Sequence, residues 1–436
     1  MARTPALPGT SAKRAPAAAA AGNQADTDEV TDTPDSRTEY GPAENASTSR
    51  WQTLRHRIDA RAGRPSASYY WIIGTTVALT CVGLMTVLSA SAAESISAGV
   101  DPYSLFIKES TFAVAGLVIM MVLSFVRPAG LKKLAWPALG LSALLLLLVD
   151  FTPLGVEIGG NKNWINFGGG VQFQPSEAAK LALALWMGMI LARKGELVRQ
   201  WRHTLMPVVP VGAIMVGLVL GGHDLGTAVI VMTVIGAGLF FGGASLKVLV
   251  PTLLGGIGAA VLLAAISGNR TSRLAGWMGQ CSSGLCDQAQ NGLYALASGR
   301  WFGVGLGQSR QKWSWIPEAH NDFIFAILGE ELGLLGTLVI IALYGVLAFA
   351  IFRVIMKRND TFARVVCGAI LAWIIGQAFV NIAMVAGLLP VIGVPLPLIS
   401  YGGTALVVTL AAIGVVLSFA RAEPDRAIPE SASQES

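Results

Sequence analysis

Charge is scarce in this chain of 436 residues: only 13% are Asp, Glu, Lys or Arg, about half the share that a soluble domain carries. Hydrophobic residues make up 53% and the mean hydropathy is +0.59, which excludes an ordinary water-soluble globule. Cysteine is scarce as well. The four present include no CxxC pair and no His/Cys cluster, so no structural metal site is expected. Cys81 and Cys367 sit inside apolar runs and read as inert small hydrophobes. Alternating aromatic and basic residues of the nucleic-acid-binding kind are absent. The formal net charge of +5 therefore implies no nucleic-acid partner. Its basic residues stand mostly in short breaks beside apolar spans, where the positive-inside rule puts them. No internal repeat is visible, which weighs against an inverted-repeat transporter.

What the chain does have is long apolar runs. Residues 1–68 are rich in Ala, Pro, Thr, Ser, Asp and Glu without an apolar period, so they read as a disordered tail. No apolar stretch precedes Tyr69, so no signal peptide is expected there. From residue 70 the chain alternates apolar runs with polar breaks, and about 20 apolar residues suffice to cross the hydrocarbon. Ten candidate spans follow: 70–90, 106–126, 135–151, 175–192, 205–221, 225–242, 246–266, 323–352, 365–388 and 400–420. The expected fold is an all-α polytopic membrane protein: a ten-helix membrane domain over 69–421 and a short cytoplasmic tail over 422–436. Placing the N-terminus inside collects Arg127, Lys132, Lys133, Arg193, Lys194, Lys247, Arg353 and Lys357 on one side. Both termini are then cytoplasmic. Two outer segments are long, 152–174 and the loop 267–322 between spans 7 and 8, and long segments of this kind carry function.

The candidate chemistry lies in or beside these segments. Asp322 stands where the long outer loop meets an apolar helix, beside Glu318 and His320. A carboxylate there is partly desolvated and suits a general base, and it suits a helix N-cap equally well. Pro175-Ser176-Glu177 opens a helix, and Glu177 and Lys180 are spaced to pair on one face, either as a plain ion pair or as a polar face toward a cavity. His223-Asp224 follows two glycines and reads most simply as a turn. Arg270, Arg273, Arg300, Arg310 and Lys312 lie in the outer loop against the positive-inside trend, and Arg offers bidentate contacts to an anion such as pyrophosphate. Gly387 to Gly403 contains three prolines and ends in Ser400-Tyr401-Gly402-Gly403. Broken backbone at membrane depth is tolerated where it is buried or lines a cavity. Cys281 and Cys286, close together in the outer loop, are candidates for a disulfide, with two free thiols as the alternative.

Together these segments resemble the shape, elongation, division and sporulation (SEDS) family. The matches are Trp164-Ile165 followed by Gln174-Pro175-Ser176-Glu177 and Lys180; Asp224-Leu225-Gly226-Thr227; Gly303 through Gly307; Pro317-Glu318-Ala319-His320-Asn321-Asp322-Phe323; Gly329-Glu330-Glu331-Leu332-Gly333; and Pro395 through Gly403. They occur in the family's order. Asn163 stands where the family often has Arg, with Lys162 beside it, and Asn321 where Thr is common.

The resemblance implies a peptidoglycan glycosyltransferase acting on lipid II at the outer face of the bacterial cytoplasmic membrane. It implies that Asp322 deprotonates the acceptor 4-hydroxyl, and that the growing glycan leaves its undecaprenyl pyrophosphate. Contacts to sugar and pyrophosphate would come from Lys162, Trp164, Glu177, Lys180, Asp224 and Ser400, with Glu318, His320 and the outer cations. No cofactor is certain; a divalent cation, Mg or Mn, is left open. The implied partners are a class B penicillin-binding transpeptidase and other divisome proteins. The run Phe323 to Gly333 and the long N-terminal tail resemble the septal branch, FtsW, more than the elongation branch, RodA. The rival readings are a lipid II flippase, a RodA-type polymerase and a noncatalytic scaffold.

Overall fold

The computed structural model describes residues 66–97, 99, 101–158, 161–166, 168, 172–266, 277–278, 285–313, 316 and 320–421. Its helices are α1 (Ala67–Ser97), α2 (Ser104–Ser124), α3 (Pro128–Phe151), α4 (Pro175–Lys194), α5 (Trp201–Leu205), α6 (Val208–Gly221), α7 (Leu225–Phe241), α8 (Leu246–Ile266), α9 (Leu285–Ser298), α10 (Ile324–Lys357), α11 (Thr361–Val385) and α12 (Thr404–Arg421). A helix occupies each of the ten apolar runs. Among the described residues, seven helical stretches are long and apolar enough to cross a membrane, while Leu225–Phe241 and Leu246–Gly256 are apolar but shorter.

Local chemistry sets the ends. Proline occupies the first turn of α3 and of α4, where its missing N–H is not needed. α4 carries Glu177 in its first turn and Arg193 and Lys194 in its last, each complementing the helix dipole. Asp224 caps α7 and Asp360 caps α11. α2 and α12 approach closely through Gly414, where a Cβ would lie 2.6 Å from the Met120 carbonyl oxygen. Small residues at such crossings let helix backbones meet inside a membrane.

The expectation of an all-α chain needs one correction. Part of the 152–174 segment forms a small antiparallel sheet, β1 (Gly155–Ile158), β2 (Asn161–Asn166) and β3 (Gln172–Phe173), in the order β1-β2-β3. Its glycines and short strands carry no alternating apolar pattern long enough to announce a strand.

α10 is not one continuous helix. Gly333 adopts φ 69° and ψ −169°, which interrupts the hydrogen-bond ladder. The N–H groups of Leu334 and Leu335 then bond to the carbonyls of Arg300 and Trp301, at 2.8 and 3.2 Å. In return, the N–H groups of Val304 and Gly305 bond to the carbonyls of Glu330 and Glu331, at 2.9 and 3.1 Å. The side chains reinforce the exchange. Glu330 accepts from Ser309 Oγ (2.5 Å) and from the Arg310 N–H (3.1 Å), and Glu331 accepts from Ser89 Oγ (2.5 Å) and pairs with Lys312 (3.4 Å). Residues 300–312, which precede α10, are thus locked into the break in that helix.

Gly303 sits at the centre of this lock with φ +79°, and a Cβ there would lie 2.0 Å from the Glu331 carbonyl oxygen. Gly303→Ala should destabilise the protein by about 2–4 kcal/mol, from the left-handed backbone and from overpacking. Thermal unfolding of the detergent-solubilised variant checks this. An unchanged midpoint would mean that the loop does not depend on this contact.

Candidate active site

Asp322 lies on a turn that leads into α10. The position before that helix belongs to Phe323, which makes no side-chain cap. Two backbone contacts hold the turn. Asn381 Nδ2 of α11 donates to the Asp322 carbonyl at 2.8 Å and to the Val394 carbonyl at 2.7 Å. The Tyr401 N–H donates to the His320 carbonyl at 3.0 Å, and the two rings meet edge to face with centroids 5.4 Å apart. His320 is buried and Asp322 is half-buried.

The proline-rich segment between α11 and α12 is unwound, and side chains from the helices satisfy its backbone. Gln377 Nε2 donates to the Pro395 carbonyl at 2.9 Å, the Tyr344 hydroxyl donates to the Pro397 carbonyl, and the Leu396 N–H donates to Ser400 Oγ at 2.7 Å. This is how irregular backbone survives inside a helical bundle. It also means that the Ser400 hydroxyl already holds its own turn.

The expected Glu177–Lys180 pair forms, at 2.8 Å, with both side chains almost wholly buried. Lys180 Nζ also donates to Gln377 Oε1 at 3.0 Å and lies 4.6 Å from the centre of the Trp373 ring, while Trp373 Nε1 donates to the same Gln377 oxygen at 2.9 Å. The ammonium is therefore satisfied on several sides, which a buried charge requires. Through Gln377 this cluster joins the unwound segment.

Asp224 is more than a turn residue. The residue is 5% exposed, and its carboxylate accepts from the Thr227 N–H (2.9 Å), the Thr227 hydroxyl (2.7 Å), Asn163 Nδ2 (2.7 Å) and Gln174 Nε2 (3.2 Å). It ties the sheet and the start of α4 to the start of α7. Asn163, at the position where Arg is common in the resembling family, is one of these ties. Lys162 Nζ donates to the carbonyls of Asp150 and Thr152, both at 3.1 Å, and so closes the end of α3. Trp164 is half-buried in β2, opposite Val156. Lys312 is engaged by Glu331, Ser89 and the Gly307 carbonyl. Arg300 is exposed, with φ 46°.

The structure therefore brings His320, Asp322 and Ser400 together around the unwound segment, with Glu177 and Lys180 joined to it through Gln377. Lys162, Asp224 and Lys312 form separate tethers. Arg270, Arg273, Glu318, Cys281 and the Cys286 side chain lie outside the described residues, as does the tail 1–65. Among the described residues, no three His, Cys, Asp or Glu side chains could hold a metal ion.

Sequence reasoning missed Glu109, Gln377 and Asn381. A signal was present: Trp373, Gln377 and Asn381 recur every four residues in an apolar helix, and Glu109 is a lone carboxylate in an apolar run. Polar groups in such spans usually face the interior of the bundle.

Comparisons with known proteins identify the family of the chain as a whole. The sequence profile of the FtsW, RodA and SpoVE family, described as "Cell cycle protein", matches residues 70–424. The Mycobacterium tuberculosis protein named "Probable peptidoglycan glycosyltransferase FtsW" is 36% identical over 375 residues, covering 85% of this chain and 71% of the relative. A protein of the same name from Thiomonas intermedia is 36% identical over 356 residues, covering 79% and 87%. Among solved structures, the Thermus thermophilus rod shape determining protein RodA superposes with a TM-score of 0.61 at 28% identity, covering 81% of this chain and 96% of that one. A chain from a peptidoglycan synthase complex, in which polymerization and crosslinking are coordinated, superposes with a TM-score of 0.66 at 26% identity, covering 82% and 98%. This chain belongs to the FtsW, RodA and SpoVE family of cell cycle proteins.

Proposed function

We infer that this chain is a peptidoglycan glycosyltransferase that polymerises lipid II at the outer face of the bacterial cytoplasmic membrane during septal division. The observation that carries the chemistry is the placement of Asp322, on a turn braced by Asn381 and Tyr401 where the unwound segment meets the start of α10. The relatives named FtsW support the reading of the reaction and of the septal branch.

In this reading Asp322 takes the proton of the acceptor 4-hydroxyl. The freed oxygen attacks the anomeric carbon of the growing chain. The bond from that carbon to the lipid pyrophosphate breaks, and the pyrophosphate leaves with the bonding pair. The exposed Arg300, together with Arg270 and Arg273, would neutralise it. Mg or Mn bound to the pyrophosphate remains part of the proposal, and no step is assigned to it.

Ten spans with both termini inside place the 267–322 loop and the base outside. A class B penicillin-binding transpeptidase is the expected partner, in line with the synthase complex that the fold resembles. The proposed Cys281–Cys286 bridge would brace the same loop. A flippase would need its decisive carboxylate within reach of an inner gate, whereas Asp322 belongs to the outer loop.

Depletion of the chain in its host tests the septal assignment. Loss of new wall at the division site, with long cells of normal width, is expected. Rounded cells that still divide would point to the elongation branch instead.

A further inference from the structure

The unwound segment is tied at its far end by a carboxylate from a distant helix. Glu109 of α2 is 2% exposed. Its Oε1 accepts from the Gly402 N–H at 3.4 Å and its Oε2 from the Gly403 N–H at 3.0 Å. Among the described residues it belongs to no ion pair; it is favoured by these two N–H groups at the positive end of α12, which begins at Thr404, and by the charge of the neighbouring Lys108. An ordinary cap would be a Ser, Thr, Asp or Asn just before the helix. Here that position is Gly403, with φ +46°, and a Cβ there would press on Phe112 of α2 at 3.2 Å. A local side-chain cap is thus excluded, and α2 supplies the acceptor.

What Glu109 holds is next to the chemistry. Gly402 follows Tyr401, whose N–H holds the His320 carbonyl and whose ring packs on His320, two residues before Asp322. We propose that Glu109 is a positioning residue for glycan polymerisation: it fixes Gly402 and Gly403, and through Tyr401 it fixes the turn that carries Asp322. This rests on the reading of Asp322 as the base. The length of the side chain should matter more than its charge: Gln gives up the longer contact, to the Gly402 N–H, but keeps one oxygen for the closer Gly403 N–H, whereas a shorter acid would either release both N–H groups or draw the segment toward α2.

Purified full-length protein assayed with lipid II gives kcat and KM, and thermal unfolding gives the midpoint. The variants are Glu109→Gln, Glu109→Asp and Glu109→Ala, with Asp322→Asn to test the base. Asp360→Ala, which removes the cap of α11 remote from the site, serves as a stability control. The expected kcat order is wild type, then Glu109→Gln, then Glu109→Asp and Glu109→Ala. The last two should fall at least about 10-fold, with KM within about 2-fold, since misplacing a reacting group acts on the chemical step. Asp360→Ala should lower the midpoint and leave kcat unchanged. If Glu109→Ala does not fold, the comparison of Gln with Asp decides. Wild-type kcat in Glu109→Asp, or a Gln variant no better than Asp, would overturn the positioning role while Asp322→Asn stays inactive. Normal turnover in Asp322→Asn would overturn the reading beneath it.

Discussion

Asp322→Asn should abolish polymerisation, by at least about 100-fold, the lower end of what a general base contributes, while leaving the protein folded. The fold should survive because the turn is held through its backbone. Asn381 grips the Asp322 carbonyl and Tyr401 grips the His320 carbonyl, and neither contact uses the carboxylate. Asn has nearly the same shape and differs by losing the negative charge and the ability to take a proton. The substitution also separates the two sequence-level readings of this residue. A helix cap predicts little change, because Asn caps about as well as Asp. Folded Asp322→Asn protein that turns over lipid II at close to the normal rate would remove the residue from the chemistry.

Lys180→Met should cost about 3–5 kcal/mol of stability, the usual penalty for breaking a buried pair from one side. That is a large fraction of the roughly 5–15 kcal/mol that holds a typical domain together. Methionine fills much of the space but leaves Glu177 as a buried carboxylate without its cation, and it leaves Gln377 Oε1 with only Trp373. The double variant Glu177→Gln/Lys180→Met removes the stranded charge and should recover much of the loss. Thermal midpoints in detergent, or the amount of folded protein in the membrane, report both. If the single variant is as stable as the parent, the pair contributes nothing to the fold. If the double variant is no better than the single, the penalty does not come from an uncompensated charge.

The helices were legible because the bilayer imposes a simple rule. A run of about 20 apolar residues has few alternatives to a helix, and each of the ten runs holds one. Interruptions inside a run were not legible. Averaged hydropathy does not register a single glycine, so nothing in the 323–352 run marks Gly333 as a break, or shows that residues 300–305 fill it. The Glu177–Lys180 pair was legible because its partners are three residues apart, on one helix face. Asp224 looked like a bland turn because its partners Asn163 and Gln174 lie 61 and 50 residues away. Glu109 meets Gly402 and Gly403 across more than 290 residues, a distance at which only the packed bundle reveals the contact. Asp322 was singled out as a candidate by its place at the junction of loop and helix, and by the family motif around it. What braces that turn came only from the fold.

The most direct test of the central claim is to reconstitute the purified chain in liposomes with a class B transpeptidase and labelled lipid II, and to resolve the products by size. Long glycan strands that lysozyme degrades, and that disappear when Asp322→Asn protein is used, are the expected result. Labelled lipid II that crosses the bilayer without forming any polymer would contradict it and favour a flippase.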